Sequence, residues 1–406
     1  MSQQFEEEHI DHSDEQSLVE SIEKLSIHQE KNNNKFNGEN PNVKWKALYY
    51  EDIKEIYVNR YVPLNPPNEP IDENNCHLFP QRSDKWLELR SNRITASRLS
   101  KALGFFSPAA VKMLDLSKSF LKQDKETVGT IYESILTRDE LKELGMTDEE
   151  IDQLKQPSNE NPKEEIVKRV FMDWGSNHEL NCVSTILNSH FDYDMFCETG
   201  FYIITEDRLN QVFTKEDLEK YELSFEKLPA LGASPDGLLQ SIDTNEIHSC
   251  VEIKCPTCFV EKYVKKEDRE SGRDIPLTFS YIKKKPHEEV PVYYIPQMYL
   301  QMIATNTKQC YYCSWTVTQG CNMFKVEFDK DFALEILYWI FKHYDLVKNQ
   351  KKRITPDCFI SDERFIQFLQ KSLEIQKGIQ FVKTIEKSMV YEGIDPERKH
   401  MFNDNK

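Results

Sequence analysis

Three residues carry the strongest chemical signal: Asp236 in Ser234-Pro235-Asp236-Gly237, and Glu252 and Lys254 in Val251-Glu252-Ile253-Lys254-Cys255. The first segment reads as a sharp turn after a short strand. The second begins fifteen residues after Asp236 and is β-branched. A strand there puts Glu252 and Lys254 on one face, because side chains repeat with period two. If the two strands form a hairpin, all three side chains converge at one end of a sheet. Two carboxylates beside a lysine are costly to bury. They are useful where a divalent cation must be held and a water activated. Mg²⁺ takes one or two carboxylates together with phosphate oxygens and waters, and the main-chain carbonyl of Ile253 offers a further ligand. Mg²⁺ is therefore the expected cofactor, with Mn²⁺ able to substitute. Lys254 is placed to orient the water or help deprotonate it, and the cation to stabilise charge on a phosphate. Alone, each piece is ordinary: Ser-Pro-Asp-Gly is a common turn, and Glu-x-Lys on a strand is usually a solvated face. Their order, and the apolar residue between Glu252 and Lys254, lift the set above that.

Further segments follow the same order along the chain. They are Trp86-Leu87-Glu88-Leu89-Arg90, Ile94-Thr95-Ala96-Ser97, Trp174-Gly175 with Glu179, and later Tyr294 with Gln297. The whole set resembles the phage-lambda-type alkaline exonucleases, also called YqaJ-like viral recombinase nucleases, of the PD-(D/E)XK superfamily. The matched span runs from about residue 82 to 318. The resemblance implies an α/β fold with a restriction-endonuclease-like core, a central mixed sheet flanked by helices. It implies that Asp236 and Glu252 are metal ligands, that Glu179 is a further acidic residue at the metal, and that Lys254 acts on the water. Gln297 would order the site, and Arg90 and Ser97 would contact a terminal 5′-phosphate. An arginine fork suits such a phosphate, and a serine near a helix N-terminus suits an anion. The implied activity is metal-dependent hydrolysis of DNA, 5′ to 3′ from duplex ends, in recombination or repair. The implied partners are DNA, a single-strand annealing protein and further copies of the chain. Two alternatives stand beside this: a structure-specific endonuclease on the same core, and a non-catalytic nucleic-acid-binding protein.

The family often carries two glutamines spaced by two on the late helix. Here Gln297 is followed by Tyr299 and then Gln301, one helical turn on, so which glutamine faces the site stays open. Residues 123–168 are long and acidic, and the chain between Gly200 and Asp236 is stretched. Processivity and ring assembly are therefore not carried over.

The elements that must position these residues divide the chain into four. Residues 1–42 read as an acidic disordered tail and 43–80 as a Pro-rich connector. Residues 81–330 read as the nuclease domain with a helical insertion at 123–168, and 331–406 as a C-terminal helical extension. Residues 84–104 read as helix, turn, helix, with Thr95 or Ser97 as cap and Gly104 as stop. Two capping boxes, Thr137-x-x-Glu140 and Thr147-x-x-Glu150, mark helices in the insertion. Ile166–Phe191 reads as a long helix, and strands follow around residues 197–205, 231–242, 248–255, 309–317 and 323–329. A helix from Tyr294 to Thr305 precedes the last two strands, and 331–348 and 362–387 read as mainly helical.

The 406 residues carry a formal net charge of -17, which argues against a general nucleic-acid binder unless the acid is confined to the tail and insertion. The basic stretch 262–285 and Lys351-Lys352-Arg353 are candidates for DNA backbone contact or for plain surface. The cysteines invite a zinc reading, but Cys310 and Cys313 lie three apart on a strand and so face opposite ways. Cys310, Cys313 and Cys321 faintly echo an iron–sulfur site without a clear fourth ligand. Scattered reduced thiols are the expectation. No P-loop occurs, no stretch approaches the roughly eighteen apolar residues of a membrane helix, and a nuclear or cytoplasmic rather than secreted protein is expected.

Overall fold

The computed structural model describes residues 60–64, 76–117, 127–155, 162–261 and 279–389. The tail at 1–42, most of the connector and the basic residues Lys265, Lys266, Arg269 and Arg273 lie outside these.

Along the chain, β1 (Tyr61–Val62) precedes α1 (Asp84–Arg90), β2 (Ile94–Thr95) and α2 (Leu99–Ala102). Three short helices follow: α3 (Val128–Glu133), α4 (Arg138–Glu143) and α5 (Asp148–Lys155). The long α6 (Pro162–Ser189) leads into β3 (Asp194–Cys197), β4 (Tyr202–Ile203), β5 (Leu231–Ala233), β6 (Gly237–Ser241) and β7 (Ile247–Lys254). Then come β8 (Phe259–Glu261), β9 (Phe279–Tyr281), α7 (Ile295–Thr305), β10 (Gln309–Thr316) and β11 (Gly320–Glu327). The helices α8 (Lys330–Lys348) and α9 (Glu363–Gly378) precede β12 (Gln380–Ile385).

The centre is a mixed seven-stranded sheet in the order β1-β3-β6-β7-β10-β11-β12. β6 and β7 form the expected antiparallel pair, and β10 runs parallel to β7 on its other side. Alternation along β7 sorts its side chains between two cores. Val251 and Ile253 pack with Cys182, Val183, Ile186 and Leu187 of α6. Cys250 faces the opposite core, which α7, α8 and α9 cover. Glu252 and Lys254 share the parity of Cys250 and so lie on the α7 side. The fold is thus the expected α/β arrangement, a central mixed sheet flanked by helices.

Local calls divide. Both capping boxes form: Thr137 and Glu140 exchange bonds at 2.8 and 3.3 Å, and Thr147 and Glu150 at 2.8 and 3.2 Å. Residues 94–95, read as part of a turn, are a strand that pairs in parallel with β5. Thr95 and Ser97 do not cap a helix through their side chains, and Arg98 stands at the N-cap of α2. Residues 380–385, read as helical, form β12 at the sheet edge, where Phe381 meets Phe324 at 5.5 Å and Ile385 is buried. Tertiary pairing overrides local preference there, since a strand edge offers those backbone groups partners that a lone helix end lacks.

The helices of the acidic segment bury Val128, Ile131, Tyr132, Leu141 and Ile151 in the main core. Tyr132 stacks on His343 of α8 at 5.6 Å. Their carboxylates engage the basic run that follows α8. Lys351 pairs with Glu143 at 2.7 Å, and Arg353 with Glu133 at 3.0 Å and Glu150 at 3.2 Å. These two cations are paired with carboxylates of the acidic helices. Among the described residues no helix is long and apolar enough to cross a membrane.

Candidate active site

The acidic end of the site forms where β6 and β7 begin to pair. The Asp236 amide donates to the Val251 carbonyl at 3.0 Å, and the Ile253 amide donates to Asp236 Oδ2 at 2.6 Å. The Ser-Pro-Asp-Gly turn is thereby locked to the catalytic-strand candidate, with the Asp236 carboxylate at the sheet end. Gly237 permits this approach: a Cβ there would lie 2.1 Å from Phe196 Cζ. Burial pushes the Asp236 carboxyl up, and the charges of Glu252 and Glu179 push it further. Glu179, on the buried side of the long helix α6, therefore belongs to the same electrostatic cluster.

Glu252 is 1% exposed, and its burial is compensated by donors on every side. Oε1 accepts from Gln297 Nε2 at 2.6 Å and from the Lys254 ammonium. Oε2 accepts from Gln301 Nε2 at 2.5 Å. The open choice between the glutamines resolves as both, because residues four apart sit on one face of α7. Burial alone would pull the Lys254 ammonium down, but Glu252, with Tyr294 and Asp236, more than reverses this and moves it upward. Lys254 Nζ also lies 5.0 Å from the Tyr294 ring centre.

The donor chemistry is that of a site for a divalent cation. Carboxylates outnumber cations, Asp236 resists ionising beside its neighbours, and the buried Oε1 of Gln301 finds no donor among the described residues. Among the described residues no three His, Cys, Asp or Glu side chains are gathered closely enough to hold a metal unaided. A hard cation that keeps waters and takes phosphate oxygens does not require three.

A second cluster lies on the β6 side. Arg90 donates to Ser97 Oγ at 3.1 Å, and Thr95 Oγ1 is 3.3 Å from Ser97 Oγ. The Arg90 guanidinium sits 4.1 Å from the Trp86 ring centre. Its pKa is drawn down to about 10, by burial first and then by Arg98. Glu88 does not neutralise it, being paired with Lys85 at 2.6 Å. A half-buried guanidinium beside a second cation and a hydroxyl has the chemistry to receive an anion. Trp86 Nε1 in turn donates to Ser234 Oγ at 3.1 Å, and Gln81 Nε2 to the Pro235 carbonyl at 2.9 Å. The two clusters are joined through the turn that bears Asp236.

All seven side chains singled out in sequence thus fall into two linked groups: Asp236, Glu252, Lys254, Glu179 and Gln297 in one, Arg90 and Ser97 in the other. Gln301 carried a signal, its position one turn after Gln297. His287 and Tyr312, near Lys254, carried none; they come from a charged connection and an ordinary strand. All cysteines are free thiols among the described contacts. Cys310 and Cys313 do face opposite cores, and Cys182, Cys313 and Cys321 meet beneath the sheet, where burial pushes the Cys182 thiol up.

A family model described as the YqaJ-like viral recombinase domain matches residues 85–308, more than half of the chain. Among solved structures, an alkaline exonuclease (LHK-Exo) from Laribacter hongkongensis is 16% identical, with a TM-score of 0.34, covering 72% of this chain and 98% of that one. The complex of LHK-Exo with dAMP gives 15% identity and a TM-score of 0.35 over the same shares. No curated protein matches the chain.

Proposed function

This chain belongs to the YqaJ-like viral recombinase family, and we propose that it is a DNA nuclease that hydrolyses phosphodiester bonds from duplex ends during recombination. The observation that carries the chemistry is the half-buried Asp236, in the turn that opens β6, tied to β7 beside the buried Glu252, with Lys254 on the same face as Glu252. Asp236, Glu252 and the Ile253 carbonyl would hold a divalent cation, Mg²⁺ by preference, with Glu179 adding negative charge behind Asp236. Such a cation, when bound, neutralises developing charge on the phosphate and lowers the pKa of a water.

The protein's own groups do the rest. Gln297 and Gln301 fix both oxygens of Glu252, so that the carboxylate cannot rotate away. Lys254, held protonated by Glu252, donates to the attacking water or to a non-bridging phosphate oxygen and so orients the attack. Arg90 and Ser97 take the terminal 5′-phosphate and set how far the strand enters. A fixed seat for the end makes cleavage end-dependent and gives it 5′-to-3′ polarity.

The test is cleavage of linear duplex DNA with 5′-phosphate ends, in Mg²⁺ and in EDTA, by wild type and Lys254→Ala. Nucleotide release that needs Mg²⁺, vanishes in the variant and is absent on closed circles supports the reading. Cutting of closed circles would point to an endonuclease on the same core, and no cleavage of any DNA would move the function to binding.

A further inference from the structure

His287 lies on an irregular strap, Ile282–Val290, whose backbone is pinned to the sheet. The Ile282 amide donates to the Cys258 carbonyl at 2.8 Å. The Lys284 amide donates to Thr318 Oγ1 at 3.1 Å, and that hydroxyl donates to the Lys284 carbonyl at 2.7 Å. The His287 amide donates to Ser314 Oγ at 2.9 Å, and its carbonyl accepts from Asn322 Nδ2 at 3.0 Å. Ser314 is the β10 register partner of Lys254, and Tyr312 that of Glu252. The strap therefore places His287 on the β10 side of the acidic pair, whereas Arg90 is tied in on the β6 side.

The ring has a defined tautomer. Its Nδ1 lies 2.5 Å from Tyr312 Oη. Tyr312 is fully buried, and burial pushes its phenol well up, so the phenol keeps its proton and donates it. Nδ1 then accepts, and in a neutral ring the hydrogen sits on Nε2. Burial, and after it Lys284 and Lys254, pull His287 down to about 4, so the ring is neutral at physiological pH. His287 is half-buried, and Nε2 has no hydrogen-bond partner among the described residues. Tyr312 and Tyr294 pack against it, at ring distances of 6.0 and 6.4 Å. Glu288, the adjacent acid, is engaged by Lys285 at 3.4 Å. A free N–H donor among cations lacks one thing, an anion.

We propose that His287 presents Nε2–H to a backbone phosphate of the bound strand, forming with Lys254 and Lys284 a phosphate seat on the β10 side of Glu252. This rests on the nuclease reading above. The seat holds the strand across the scissile bond from the Arg90 end, so that the reacting phosphate is fixed from both sides. Lys254 serves both the reacting phosphate and the flanking one.

The experiment is single-turnover cleavage of a 5′-phosphorylated duplex carrying one uncharged methylphosphonate linkage, moved one position at a time around the scissile bond. His287→Ala is expected to lose about ten- to a hundredfold on unmodified DNA, the size of one hydrogen bond to a charged group. At one linkage, wild type is expected to lose rate while His287→Ala loses clearly less. His287→Gln, which restores an N–H, recovers most of the rate. Tyr312→Phe, which frees the tautomer, falls between; these two carry the test if His287→Ala does not fold. Losses that simply multiply at every linkage, or a glutamine variant no better than alanine, overturn the phosphate contact alone. A wild type that cleaves no DNA overturns the nuclease reading, and this inference with it.

Discussion

The indole Nε1 of Trp86 donates to Ser234 Oγ at 3.1 Å, and this bond joins the helix that carries Arg90 to the turn that carries Asp236. One side chain thereby links the Arg90 cluster to the acidic cluster. Trp86→Phe keeps an aromatic ring under Arg90 and deletes only the N–H. One neutral hydrogen bond contributes about 1 kcal/mol, so kcat on duplex ends should fall about three- to tenfold while the preference for 5′-phosphate over 5′-hydroxyl ends persists. Arg90→Lys should erase that preference, because an ammonium cannot reproduce the guanidinium fork. Steady-state kinetics on both kinds of end check this; a lost end preference in Trp86→Phe would place the indole N–H in end recognition instead.

Asp236→Asn should stabilise the cation-free protein while abolishing cleavage. The carboxyl is raised in the fold, by burial first and then by Glu252 and Glu179. A raised acid binds its proton more tightly folded than unfolded. Its destabilising effect is therefore absent below the unfolded value near 4, grows as pH rises through it, and is complete above the folded value. The asparagine retains an acceptor for the Ile253 amide. A gain of about 1–2 kcal/mol at pH 7 that disappears near pH 4 is expected in thermal melts with EDTA. Adding Mg²⁺ should raise the wild-type Tm and leave the variant nearly unmoved. An unchanged wild-type Tm in excess Mg²⁺ would count against a cation at this pair.

Gln301→Met should cost more stability than Gln297→Met. Both keep volume in α7, but only the first leaves Glu252 Oε2 without its donor; Oε1 keeps Lys254 when Gln297 is changed. An unpaired buried acceptor costs about 1–3 kcal/mol. Both variants should lose at least about tenfold in cleavage rate, one such bond's worth in the transition state. Urea unfolding ranks the two, and the reverse order would mean that Lys254 does not hold Oε1 in solution.

Gly237→Ala should unfold the turn locally. Its Cβ would sit 2.1 Å from Phe196 Cζ, and that ring is 1% exposed and has nowhere to move. Overpacking of this kind costs about 1–3 kcal/mol, and the displaced Asp236 should take the activity with it. Adding Phe196→Leu should return part of the stability, which denaturant midpoints of the single and double variants would show.

What was readable without the structure was local in its physics. Strand periodicity placed Glu252 and Lys254 on one face, and they meet there. The Ser-Pro-Asp-Gly turn and the β-branched strand after it foretold a hairpin, and β6 and β7 form one. Capping boxes depend on torsions within four residues, and both formed. The ordered segments from Trp86 to Gln297 identified the family because each keeps its own short-range pattern.

What only the tertiary structure decided depends on contacts between distant residues. Residues 380–385 became a strand because β11 offered an edge, and no local signal outweighed their helical neighbours. Lys351 and Arg353 were drawn to Glu143, Glu133 and Glu150, across some two hundred residues, because the acidic helices fold back onto the core. Trp86 reached Ser234 through packing that no spacing rule encodes. His287 gained its neighbours when the strap was tied across β10 and β11. Periodicity and turn chemistry act over a few residues and are written in order along the chain; the pairing of distant surfaces depends on which burial satisfies every donor and acceptor at once, and that is settled only when the whole core closes.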